Sequence, residues 1–264
     1  PRSLFEKLPK LEHLVTSGMR NRSIDLQAAR DRGVVVTGTP SLDHPTMELT
    51  WALILGLARR VPVEDRAMRE RRWATTVGIG LRGKTLGVIG LGRIGRQVAR
   101  IGVAFGLRVL AWSRNLTSAR CEEVGALLAA SKEELLRQSD FVTLHVPLSD
   151  ASRNMIGKRE FAVMKPGAYL INTSRGQIVE ENALIEALRN GAIAGAGLDV
   201  YHTEPLPADH PLRKLPNVIL LPHQGYVVEE NYRIFYQGAA DNIHAWLNGT
   251  LINELNESTG PGTA

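Results

Sequence analysis

The segment Gly90-Leu91-Gly92-Arg93-Ile94-Gly95 constrains the fold of this chain more than any other. It follows an apolar run, Leu86-Gly87-Val88-Ile89, and opens into a stretch where Ile94, Val98, Ile101 and Phe105 recur at helical spacing. A GxGxxG string alone is weak, but between a strand and a helix it marks the turn of a βαβ unit that holds a dinucleotide. Gly90 permits the tight turn, Gly92 lets backbone approach the pyrophosphate, and Gly95 lets helix and strand pack closely. Arg93 and Ile94 open the helix, whose unpaired N–H groups and positive dipole end suit phosphates.

The rhythm continues downstream. Strand-like runs at 108–112, 141–145, 169–172, 194–200 and 218–221 alternate with helical patterns at 131–138, 158–164 and 182–189. Such alternation predicts a mostly parallel, doubly wound Rossmann-type α/β sheet. Two regions fall outside it. Residues 1 to about 45 give strand-like runs at 11–15 and 34–36 around a helix, and the tail from about 227 reads as a long helix through Trp246. A helix at 46–60 leads into the sheet domain. The expected division is a cofactor domain over about 48–231, with a second, smaller α/β domain built from 1–47 and 232–264.

A site for NAD carries Asp or Glu about 20 residues after the glycine loop, on the ribose 2′-hydroxyl. Here the second strand ends Trp112-Ser113-Arg114-Asn115, with no acid. Arg114 and Ser113 suit a 2′-phosphate, with Arg93 as a helper, which favours NADP over NAD.

Ligands of open α/β sheets bind beyond the carboxyl ends of the strands. Arg175 follows the 169–172 strand, Glu204 the 194–200 strand and His223 the 218–221 strand. Reducing a 2-keto acid needs a hydride donor, a cation for the carboxylate and a proton for the developing alkoxide. A nicotinamide supplies the hydride. Arg175 suits a forked grip on the carboxylate, His223 suits proton exchange near neutrality, and Glu204 would orient the ring. Each alone also reads as a surface, turn or loop residue; three on one sheet edge beside a dinucleotide loop point to chemistry. His145 also ends a strand and would line the cofactor crevice through its backbone. His202, Glu204, Asp209 and His210 lie in a segment broken by Pro205, Pro207 and Pro211, without a helical metal-ligand spacing, so no metal is expected.

The net charge is +5, with arginines bunched at 59–72 and at 93, 96 and 100. A basic face can attract nucleic acid, but no stacking aromatics, zinc spacing or helix-turn-helix accompany it, so anionic small molecules are the expected partners. The single cysteine, Cys121, has no disulfide partner, and no apolar run reaches membrane-spanning length. A cytoplasmic protein is expected, with no signal peptide at Pro1-Arg2-Ser3-Leu4.

At these residues the chain resembles the D-isomer-specific 2-hydroxyacid dehydrogenases of the glyoxylate/hydroxypyruvate reductase or phosphoglycerate dehydrogenase type. The resemblance runs over the 83–95 segment, His145-Val146-Pro147-Leu148, Met164-Lys165-Pro166-Gly167, Asn172-Thr173-Ser174-Arg175-Gly176 and Pro222-His223-Gln224-Gly225. It implies Arg175 as the substrate arginine and His223 as the acid/base with Glu204 as its partner. It also implies His145, Val146, Pro147 and Gly225 along the cofactor, Thr173 and Ser174 near the nicotinamide, and Asp199 on the carboxamide. Family members pair as homodimers through their cofactor domains, and the helix carrying Met47, Trp51, Ile54 and Leu55 suits either an interface or a core. The family's second domain is flavodoxin-like and begins with a longer N-terminal segment, so about half of that domain is expected to be missing here. Its substrate loop corresponds to Ser17-Gly18-Met19-Arg20-Asn21, where the Gly18 and Met19 amides would bind a carboxylate. A formate dehydrogenase is disfavoured because that relative has Gln where Glu204 stands. An NAD(H)-sensing corepressor or an inactive truncated paralogue would keep the same cofactor loop.

Overall fold

The structure is a computed structural model and describes residues 1–256; the expected tail at 257–264 lies outside the described residues. The chain divides into two compact units, residues 1–42 with the segment from 226 onward, and residues 43–225.

The first unit begins with helix α1 (Arg2–Phe5), strand β1 (His13–Thr16), helix α2 (Leu26–Asp31) and strand β2 (Val35–Gly38). The strands pair in parallel from His13↔Val35 to Thr16↔Gly38. Asp25 caps α2, its carboxylate accepting from the Ala28 amide at 2.8 Å. Phe5, Ala28, Ala29, Val34 and Val36 form a small core. Asn256 closes it: its Oδ1 accepts from the Val36 amide and its Nδ2 donates to the Val34 carbonyl, both at 2.8 Å.

The second unit runs through α3 (His44–Ala58), α4 (Val61–Arg69), β3 (Thr85–Ile89), α5 (Arg93–Ala104), β4 (Arg108–Trp112), α6 (Ser118–Glu122) and β5 (Leu127–Leu128). It continues with α7 (Lys132–Gln138), β6 (Phe141–Leu144), α8 (Lys158–Val163), β7 (Tyr169–Asn172), α9 (Glu181–Arg189), β8 (Gly195–Leu198) and β9 (Val218–Leu220). The chain then re-enters the first unit through α10 (Glu229–Leu247). The seven strands of the second unit form one sheet in the order β5-β4-β3-β6-β7-β8-β9, every pair parallel.

A parallel sheet is buried on both faces, so its strands read as unbroken apolar runs rather than alternations. All five residues of β3 are buried. Because side chains alternate across a strand, Leu86 and Val88 join Trp51, Leu53, Val98 and Ala99 on one face. Ile89, Val142, Leu144 and Leu170 join Leu135, Phe161 and Leu184 on the other. Helices α3 and α5 therefore cover one face, and α7, α8 and α9 the other.

The structure adds elements absent from the sequence reading. Strand β5 is two residues long, too short to show a period, and adds to β4 through Leu110↔Leu127. Helix α4 occupies part of the arginine-rich 59–72 stretch, where Arg69 pairs with Asp65 at 3.0 Å and Arg72 with Glu70. Within α3, Trp51 is 5% exposed and Ile54 0%, so these two residues belong to the core of their own unit. No helix among the described residues is long and apolar enough to cross a membrane.

Candidate active site

Two clusters of polar groups gather at the carboxyl edge of the sheet. The first is built on β3. Gly90 takes φ +97°, and its amide donates to the Trp112 carbonyl at 2.9 Å, tying the glycine loop to the end of β4. A Cβ on Gly95 would lie 2.0 Å from the Gly90 carbonyl oxygen, so any side chain there would drive α5 away from β3. Gly92 differs: a Cβ there would meet nothing within 4 Å. Gly92 also caps α5 with no side-chain hydrogen bond. The protein's own packing does not demand glycine at 92, whereas a phosphate approaching the uncapped helix N-terminus would. The residues present fit a dinucleotide.

Around this loop, Ile94 begins the α5 face that packs on the core, and Arg93 is exposed, its Nε 3.8 Å from an Asp43 carboxylate oxygen. Ser113 is half-buried and Arg114 exposed just beyond β4. The His145 carbonyl sits where a Gly90 side chain would go, 2.6 Å from the ideal Cβ. The His145 ring shares a 2.9 Å hydrogen bond with Thr143 Oγ1, and burial lowers its pKa from 6.5 to about 4. Ser174 Oγ donates to the Val146 carbonyl at 2.6 Å, and Pro147 follows at the surface. Cys121 is fully buried, and burial pushes its thiol up, which suits packing rather than nucleophilic work.

The second cluster is built on β7, β8 and β9, adjacent and parallel, so their following loops share one edge. Beyond β9, His223 Nδ1 lies 2.6 Å from Glu204 Oε2. The other Glu204 oxygen accepts from the Tyr201 amide at 2.9 Å, fixing the carboxylate plane. His223 sits at φ +56°, a left-handed conformation costing a non-glycine residue roughly 1–2 kcal/mol. Asp199 supplies the constraint: its two oxygens accept from the Gln224 and Gly225 amides, each at 2.8 Å. Asp199 is 1% exposed, and burial raises its pKa although both amide bonds pull it down. The carboxylate expected on a carboxamide is thus engaged with the histidine loop.

Arg175 is exposed beyond β7, its Nη1 donating to the Ser174 carbonyl at 2.6 Å. Asn172 holds this loop in shape, its Oδ1 accepting from the Ser174 amide at 3.0 Å and its Nδ2 donating to the Arg175 carbonyl at 2.9 Å. Thr173 Oγ1 shares a buried 2.9 Å hydrogen bond with Thr50. Thr46 Oγ1 donates to the Gly225 carbonyl at 3.0 Å. Helix α3 thereby braces both loops. Tyr201 adds a third tie, its hydroxyl donating to the Leu221 carbonyl at 2.8 Å, and burial raises its pKa to about 12. Thr46, Thr50 and Tyr201 escaped the sequence reading. The signal for the threonines was their i, i+4 spacing, which puts both on one side of the first turns of α3.

The His202, Asp209 and His210 segment diverges. His202 Nε2 bonds the Val179 carbonyl at 2.7 Å, and His210 lies 3.4 Å from Glu181. Among the described residues no group of three acidic, histidine or cysteine side chains is placed to hold a metal. In the first unit, the Gly18 amide donates to Thr39 Oγ1 at 3.0 Å, so the carboxylate-binding expectation there rests on the Met19 amide.

Comparison with known proteins identifies the family. The family described as D-isomer specific 2-hydroxyacid dehydrogenase, NAD binding domain, matches residues 51–225. A glyoxylate reductase of Aeropyrum pernix is 42% identical over 262 residues, covering 96% of this chain and 78% of that protein. A D-3-phosphoglycerate dehydrogenase of Methanocaldococcus jannaschii is 39% identical, covering 96% of this chain and 49% of that protein. The crystal structure of a glyoxylate reductase from Paecilomyes thermophila superposes with a TM-score of 0.81 at 34% identity, covering 97% of this chain and 79% of that one. This chain belongs to the D-isomer specific 2-hydroxyacid dehydrogenases and is an oxidoreductase that moves a hydride between a nicotinamide cofactor and a 2-keto or 2-hydroxy acid.

Proposed function

We propose that this chain reduces a small 2-keto acid of the glyoxylate class, with Arg175, Glu204 and His223 as its catalytic residues and NADPH as the favoured donor. The observation that carries the proposal is the 2.6 Å contact between His223 Nδ1 and Glu204 at the sheet edge that also carries the Arg175 loop.

When bound, the nicotinamide supplies the hydride. Arg175 grips the substrate carboxylate with its planar fork and so orients the carbonyl. As negative charge builds on the carbonyl oxygen, the guanidinium stabilises it. Glu204 holds Nδ1, which assigns proton exchange with the substrate oxygen to Nε2. The proton leaves Nε2 for that oxygen, and Glu204 steadies the ring through the change. Asn172, Thr173 and Ser174 shape the Arg175 loop. Asp199 holds the backbone that aims His223.

The glyoxylate assignment draws on the reductases this chain resembles. The NADPH preference draws on Ser113 and Arg114 standing where an NAD site carries an acid. The cofactor unit further offers Trp73 at 82% and Val77 at 93% exposure, apolar surface that suits pairing with a second copy of the chain. Initial rates with glyoxylate, hydroxypyruvate and pyruvate, each with NADPH and NADH, test this reading. The expected outcome is the highest kcat/KM for glyoxylate with NADPH. No turnover of any keto acid would contradict it.

A further inference from the structure

We propose that Arg120 is a specificity-determining residue that joins Arg114 in holding the 2′-phosphate of the cofactor. The inference rests on the NADP reading above and extends it to a residue outside the β4 terminus.

The chain between β4 and α6 arches over the first turn of the glycine loop. At one end the Trp112 carbonyl accepts from the Gly90 amide at 2.9 Å. At the other, Arg120 Nη2 donates to the Leu91 carbonyl at 3.4 Å. Residues 112 and 120 therefore anchor on successive residues of the same turn, and Arg114 lies on the span between them. The arch is tightened by the Leu116 amide donating to the Ser113 carbonyl at 3.1 Å. In a βαβ dinucleotide fold this corner, between the glycine turn and the end of the second strand, receives the adenosine ribose.

The chemistry of the arch is one-sided. Ser113-Arg114-Asn115-Leu116-Thr117-Ser118-Ala119-Arg120 holds two guanidiniums, three hydroxyls and no carboxylate. The next acid, Glu122, accepts from Ser118 Oγ at 3.1 Å. Arg120 is exposed while its neighbour Cys121 is buried, so its side chain is open to solvent even as it reaches the Leu91 carbonyl. A guanidinium carries five N–H donors, and the long bond to Leu91 uses one. Two arginines and adjacent hydroxyls match a phosphate dianion, whereas a ribose 2′-hydroxyl asks for an acceptor the arch lacks.

The test compares 2′,5′-ADP with 5′-AMP as probes, by calorimetry on the full chain, with thermal unfolding as the control for folding. The wild-type protein should bind 2′,5′-ADP more tightly than 5′-AMP. Arg120→Ala should weaken 2′,5′-ADP roughly ten- to hundredfold, the effect of one charge-assisted bond, and leave 5′-AMP unchanged. Arg120→Lys should restore part of the loss, since it returns the charge without the fork. Equal weakening of both probes would make Arg120 a brace for the Leu91 turn and overturn the proposal, as would no weakening of either. Wild-type protein that binds both probes equally would instead overturn the NADP reading itself.

Discussion

His223 Nδ1 and Glu204 Oε2 lie 2.6 Å apart, although 19 residues separate them in sequence and they follow different strands. The contact exists because β8 and β9 are parallel neighbours and because Tyr201 fixes the Glu204 carboxylate from the other side. Replacing Glu204 by Gln keeps the shape and removes the charge. The expected result is a fall in kcat, on the order of 10², with NADPH affinity unchanged. Unchanged kcat would remove Glu204 from the mechanism.

In the proposed mechanism Arg175 grips the substrate carboxylate. Arg175→Lys should raise KM for the keto acid by about ten- to hundredfold, because a point charge replaces a bidentate fork. Cofactor affinity should not move. Steady-state kinetics with a varied keto acid read this, and an unchanged KM would place the carboxylate elsewhere.

Asp199 holds His223 in its left-handed conformation through two amide bonds. Asp199→Asn offers only one acceptor oxygen, so one of the two amides, one buried and one part-buried, loses its partner, at a cost of about 1–3 kcal/mol. A lower Tm together with a lower kcat is expected, because the same loop stabilises the fold and aims the imidazole. A variant with wild-type Tm and kcat would show that the loop holds itself.

Gly92 separates fold from cofactor. Since a Cβ there meets nothing in the protein, Gly92→Val should leave Tm unchanged and abolish NADPH binding. Loss of both together, or of neither, would contradict the assignment of that open space to the pyrophosphate.

His145 sets a pH window for stability. Burial lowers its pKa from 6.5 to about 4, so the unfolded chain takes up this proton first as the solution is acidified. Its contribution is present above 6.5 and is lost as pH falls through about 4. His145→Gln should flatten the decline of Tm across that interval. A variant whose Tm declines as steeply as the wild type would refute this.

Much of the fold was legible because the features that fix it are local. The 86–89 run, the glycine turn and the helical spacing after it are contiguous, and the parallel sheet announces itself through unbroken apolar strands. The placement of Arg175, Glu204 and His223 on one sheet edge was legible for a related reason: each lies in a loop that follows a strand, and a parallel sheet brings those loops to one edge. The supports were not. Thr46 and Thr50 brace loops more than 120 residues away in sequence. That Asp199 also accepts from two amides of the histidine loop could not be read from the sequence, because those amides lie 25 and 26 residues away. Strand β5 is too short to carry a period, and whether α3 faced a core or an interface required knowing what covers Trp51 and Ile54.

The most direct test is a single-turnover measurement of glyoxylate reduction by protein preloaded with NADPH, wild type beside His223→Ala. Wild type should consume bound NADPH on adding glyoxylate. His223→Ala should bind NADPH equally well and transfer the hydride slower by about 10²–10⁴. A variant that reacts at the wild-type rate, or a wild type that binds NADPH and reduces no keto acid, would contradict the assignment of this sheet edge to hydride transfer.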